Sequence, residues 1–114
     1  VLARRSPAPV FAALGDETRL SLVKRLCGGP PRSITDLTAG SSLTRQAITK
    51  HIRVLERAGI VRGVREGRRS LFEFDPEPIE AVKGYLELVS AQWDETLSRL
   101  QVFVENRRNQ DADR

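Results

Sequence analysis

A chain of 114 residues, 39% apolar and 30% charged, is about one domain long and has the make-up of a folded globular protein rather than a disordered one. No apolar run nears the roughly 18 to 20 residues needed to cross a bilayer, and no basic stretch followed by an apolar one opens the chain. A cytoplasmic protein without a membrane partner is therefore expected. The formal charge of +4 points to a polyanionic partner, and its placement says more. Residues 42 to 72 hold eight basic side chains against two acids, a net +6, while the remainder holds eleven against thirteen, a net −2. An anionic partner should bind that one contiguous quarter.

In chain order, residues 1 to 6 are expected to be flexible. Pro7 and Pro9 suit the first turn of a short helix carrying Val10, Phe11 and Leu14, which Gly15 ends. Asp16 can cap a second helix running to about Leu26, with Leu20, Val23, Leu26 and Cys27 on one side. The run GGPP at 28 to 31 breaks it. Ser33 caps a short third helix, because SITD sets an acid three residues after the serine, and Ile34 and Leu37 should face inward. AGSS at 39 to 42 is a turn.

A fourth helix over about 44 to 58 is capped by Ser42 or Thr44 and stopped at Gly59. Ile48, His51 or Ile52, and Leu55 recur at helical spacing, so that face is expected to be buried. The opposite face presents Arg45, Gln46, Thr49, Lys50 and Arg53. It is cationic and rich in hydrogen-bond donors. GIVRGVR and RSLFEF then flank Glu66, Gly67 and Arg68, which reads as a β-hairpin over 61 to 74 with a basic tip and with Val61, Phe72 and Phe74 among its apolar positions.

From about Pro78 to Asn106 the spacing predicts a long helix. Ile79, Val82, Leu86, Val89, Trp93, Leu97, Leu100 and Val104 follow one another at intervals of three or four residues, close to a heptad seam. So small a body cannot cover the whole stripe, and a second copy of the chain would cover the surplus. The domain is expected to span 7 to 106 with this helix at its end, leaving 107 to 114 as a flexible tail.

Short helix, turn, basic helix and hairpin follow one another in winged helix-turn-helix order, with the basic helix placed to enter a major groove. The stretches ALGDETRLSLVKRL, ITDL, SLTRQAITKHIRVLERAGIV and REGRRSLFEFDP together closely resemble the ArsR/SmtB-like transcriptional repressors, over about residues 8 to 104. The resemblance implies a mainly α fold of five helices with one small β-hairpin, forming a homodimer through its first and last helices. It also implies binding to an inverted repeat in double-stranded operator DNA, with release when a ligand or partner alters the dimer. By position, Ser42 opens the recognition segment, and Thr44, Arg45, Gln46, Thr49, Lys50 and Arg53 fall where the family's recognition helix meets base edges and phosphates. Arg65, Arg68 and Arg69 fall on the wing. Arginine suits guanine and glutamine suits adenine, because each pairs two hydrogen bonds with one base edge. His51 matches a common histidine of the family that either donates to a phosphate or packs at the base of the helix. The dimer residues implied are Val10, Phe11, Leu14, Ile79, Val82, Leu86, Val89, Trp93, Leu97 and Leu100.

The chain departs from the family's metal sensors. Where their third helix carries two cysteines one residue apart, this sequence has Ser33 and Thr35, and the last helix contains no histidine. Hydroxyls and scattered carboxylates make poor soft-metal ligands, so no metal and no cofactor is expected, and the effector stays unknown. Cys27, the lone cysteine, has no partner for an internal disulfide; a buried structural thiol is favoured over a thiol sensor. Tyr85 and Trp93 either pack in the dimer or line a small-molecule pocket between subunits. One His, one Cys, no Gly-rich phosphate loop and no paired carboxylates leave nothing from which to build an enzyme site. The competing class is a winged helix that holds a protein partner and does not bind DNA.

Overall fold

A computed structural model describes residues 6 to 112. Seven elements follow in order: α1 (Ala8–Leu14), α2 (Glu17–Leu26), α3 (Ile34–Ala39), α4 (Arg45–Arg57), β1 (Val61–Glu66), β2 (Arg69–Phe74) and α5 (Glu77–Ala112). The expected flexible start lies outside the described residues except for Ser6. By contact the chain falls into two compact units, Val1–Val82 and Lys83–Arg114, the second being the later part of α5.

The helix starts obey local chemistry. The Asp16 side chain accepts from the Arg19 N–H at 3.0 Å. Ser33 accepts from the Asp36 N–H at 3.1 Å while the Asp36 carboxylate accepts from the Ser33 N–H at 3.2 Å, a complete capping box. Thr44, not Ser42, caps α4 by accepting from the Ala47 N–H at 3.1 Å. Gly59, at φ 79°, turns the chain out of α4 in a conformation that side chains resist. In the hairpin Val61 pairs with Phe74 and Glu66 with Arg69, leaving a two-residue turn whose first position, Gly67, sits at φ 62°.

The core of the first unit gathers Val10, Ala13, Leu22, Leu26, Leu37, Ile48, Ile52, Leu55, Ile60, Val61, Phe72 and Val82. Ile48, Ile52 and Leu55 are wholly buried, so α4 contributes an entire face. The hairpin is tied in by backbone: the Arg32 N–H donates to the Phe72 carbonyl at 2.9 Å, and the Phe72 N–H donates to the Arg32 carbonyl at 2.8 Å. The wing is thus hydrogen-bonded to the segment that enters α3.

Several expectations are corrected. On α2 the buried pair is Leu22 and Leu26, one helical turn apart, while Leu20, two positions from Leu22, lies on another side and is half exposed. Cys27 is exposed, not buried: it is the C-cap of α2 and, one residue past the buried Leu26, is turned about 100° away from the core-facing side. Helix α5 continues past Asn106 to Ala112, so residues 107 to 112 of the expected tail are helical, while 113 and 114 lie outside the described residues. Val10 and Val82 are buried by the chain's own core, with Ile79 packed against it, and have little surface left for a second copy.

Leu37 has no exposed surface and sits where α3 meets the core. Leu37→Ala should lower the unfolding free energy by about 2 to 5 kcal/mol, read from the urea midpoint. An unchanged midpoint would show that α3 does not depend on that contact.

Candidate nucleic-acid interface

With one face of α4 in the core, its other face is open. Ser42, Thr44, Arg45, Gln46, Lys50 and Arg53 are exposed, and Thr49 is half-buried. Their side chains are not equivalent. The side chains of Gln46, Lys50, Arg65 and Arg68 have no hydrogen bond or ion pair among the described residues, and those four are ready to meet a partner. The Arg45 guanidinium donates to the Thr35 hydroxyl at 3.0 Å, and Thr49 donates back to the Arg45 carbonyl at 2.8 Å.

Arg53 is held more firmly. Its guanidinium pairs with Glu56 at 2.8 Å and lies 5.8 Å from the centre of the Phe72 ring. That arrangement links the recognition helix to the buried aromatic of the wing and gives Arg53 a packing role as well as a charge. On the wing, Arg65 lies on β1 and Arg68 is the second residue of the turn, whereas Arg69 stands 3.7 Å from the Asp36 carboxylate of α3. Arg62 is bound to Glu73 at 2.7 Å, which raises its pKa, and lies 3.8 Å from Asp75.

His51 turns away from the open face. Its Nδ1 lies 3.2 Å from the Arg19 guanidinium and 3.8 Å from the Asp16 carboxylate, and only 23% of its side chain is exposed. A ring protonated only on Nε2 lets Nδ1 accept from Arg19, whereas a doubly protonated ring pairs with Asp16 instead. Arg19 also donates from Nε to the Ala13 carbonyl at 2.6 Å, so one guanidinium joins the end of α1 to the middle of α4. The Nδ1 edge of His51 thus packs against Arg19 and Asp16 at the base of the helix.

Sequence reasoning missed Thr35, Asp36, Glu56 and Arg19 as partners of the interface. Asp36 was visible only as a cap, because nothing local reports a contact between residues 36 and 69. The Arg53 to Glu56 pair did carry a signal, its three-residue spacing on a helix.

The comparisons with known proteins agree with this geometry. Residues 14–64 match the model of a helix-turn-helix domain. The HTH-type transcriptional regulator Rv2034 of Mycobacterium tuberculosis is 30% identical over 104 residues, covering 81% of this chain and 96% of that one. The structure of an ArsR-like transcriptional regulator from Rhodococcus sp. RHA1 superposes with a TM-score of 0.75 at 34% identity, over 82% of this chain and 88% of that one. A homodimeric winged helix-turn-helix DNA-binding domain from Mycobacterium bovis, a possible ArsR-family regulator, shares the fold at 22% identity, with a TM-score of 0.59 over 77% of this chain and 81% of that one.

The Asp16 carboxylate is held below its usual pKa, first by the Arg19 backbone N–H and then by the Arg19 and His51 charges. A depressed native pKa stabilises the fold above the unfolded carboxylate's titration near about pH 4, and that stabilisation is lost as pH falls through the native value. Asp16→Asn should therefore flatten the fall in urea midpoint between about pH 5 and pH 2. A variant curve parallel to that of the parent protein would exclude Asp16 as a source of the acid sensitivity.

Proposed function

The chain belongs to the ArsR-like winged helix-turn-helix transcriptional regulators, and from that premise we propose that it is a repressor that binds an inverted-repeat operator as a homodimer. The observation that carries this reading is the two-sided α4, buried on one face and open on the other with Gln46 and Lys50 unpartnered. In this reading α4 enters the major groove, where Arg45 and Gln46 read base edges and Lys50 contacts phosphate. The free Arg65 and Arg68 of the wing reach the flanking backbone or minor groove. No helix among the described residues is long and apolar enough to cross a membrane, and the protein acts in the cytoplasm, where the DNA is.

The dimer is supported by the surface of α5. Trp93 is 61% exposed and Phe103 60% exposed, and Leu86, Leu97 and Leu100 are about half exposed. Apolar side chains in such a row favour association over hydration. A second copy presents the same row, which a twofold axis can match to itself. The Mycobacterium bovis relative is described as homodimeric, in keeping with that pairing. On α1, Phe11 and Leu14 retain some exposed surface of their own. A dimer would set two α4 helices about one helical turn apart on the DNA and occlude the promoter.

Selection of genomic fragments by the purified protein, read by sequencing, should return an inverted repeat. Arg45→Ala or Gln46→Ala should relax preference at one position of each half-site by about 1 to 3 kcal/mol, while Arg68→Ala should weaken binding to all duplexes alike. No enrichment over random fragments would transfer the assignment to a protein-interaction module. Separately, Leu97→Asp with Leu100→Asp should convert the species seen by sedimentation from dimer to monomer. An unaltered mass would remove α5 from the interface.

A further inference from the structure

Between α3, α4 and the wing lies an open cleft of about 450 Å³, into which Arg45, Arg53 and Arg69 converge beside the hydroxyls of Thr35 and Ser70. Asp36 is its single acid. We propose that Arg69, with the hydroxyls of Thr35 and Ser70, seats a backbone phosphate of the DNA in this cleft, Arg45 at its edge being left to the bases, and that Asp36 holds Arg69 as an internal counter-anion until the arginine turns to the phosphate. The proposal rests on the DNA-binding reading above and adds to it a named site and a residue that limits affinity.

The partners already present in the cleft are weak ones for guanidinium groups. Arg45 has a neutral hydroxyl at 3.0 Å. Arg69 has Asp36 at 3.7 Å, a long contact between two exposed side chains, and such pairs contribute little in water. Arg53 spends its charge on Glu56, which does not line the cleft. A phosphate group offers several charged acceptor oxygens at once and makes shorter, stronger hydrogen bonds to arginine than these.

The geometry also says which side chain moves. The Asp36 carboxylate is fixed by the Ser33 N–H in the capping box, and that hydrogen bond, followed by one from the Ser33 side chain and then by the charges of Arg69 and Arg32, lowers its pKa. Arg69 is exposed at the end of a strand with a long flexible stem. The arginine therefore leaves the aspartate, while the aspartate stays and opposes the incoming phosphate. Every duplex is affected alike, because no base is read.

Asp36→Asn tests this directly, since the amide oxygen can still accept from the Ser33 N–H while the charge is gone. Affinity for a random-sequence duplex should rise roughly three- to tenfold at low salt. In an Arg69→Ala background, which does not touch the capping box, the same change should give roughly twofold or less. Titration of the parent protein with inorganic phosphate should give saturable NMR shifts at Thr35, Arg69 and Ser70. Unchanged duplex affinity in Asp36→Asn, or an equal gain with and without Arg69, would overturn the seat while leaving DNA binding intact. Failure of every variant to retain any duplex would instead overturn the DNA-binding reading, and absent phosphate shifts would then dispose of the seat as well.

Discussion

The burial of one face of α4 is the constraint on which the rest depends. Ile48, Ile52 and Leu55 have no exposed surface, and they recur at the helical interval, so they hold the helix by its whole length rather than at one end. Removing three such side chains from water is worth several kcal/mol in total, on the order of 1.5 to 3 each. This exceeds what any exposed polar contact of the same helix contributes. The orientation of Arg45, Gln46 and Lys50 is therefore a consequence of packing on the far side, and no polar bond among them is needed to aim them.

The wing is held by a different means. A two-stranded hairpin is marginal alone, and here Phe72 anchors it three ways: its ring is buried, its backbone is bridged to Arg32, and the Arg53 guanidinium lies over the ring. The same residue therefore joins the wing, the entry to α3 and the recognition helix. With the frame set, ion pairs sort the arginines into those already engaged, Arg53, Arg62 and Arg69, and those left free, Arg65 and Arg68. Net charge alone would have weighted all of them equally.

The later part of α5 follows opposite physics. Its Leu, Val, Phe and Trp side chains are largely exposed in the single chain. A helix with so many apolar residues in water is an unfinished surface, and its stability gains from a covering partner.

The sequence by itself determined the elements and their order. Capping signals at Asp16 and Ser33, the breaker run at 28 to 31, the Gly59 stop and the Gly67 turn are local instructions, readable because each acts within a few residues. The buried face of α4 and the row along α5 were legible for the same reason, since helical periodicity is a local property. Which polar groups meet across elements was not legible. His51 turned toward Arg19 and Asp16, Arg45 bonded to Thr35, and Arg69 beside Asp36 depend on how helices and wing pack. The exposure of Cys27 likewise followed from which side of α2 faces the core. Only the tertiary structure could decide these, because hydrogen bonds and ion pairs form between groups that distance in space brings together, and distance along the chain does not encode it.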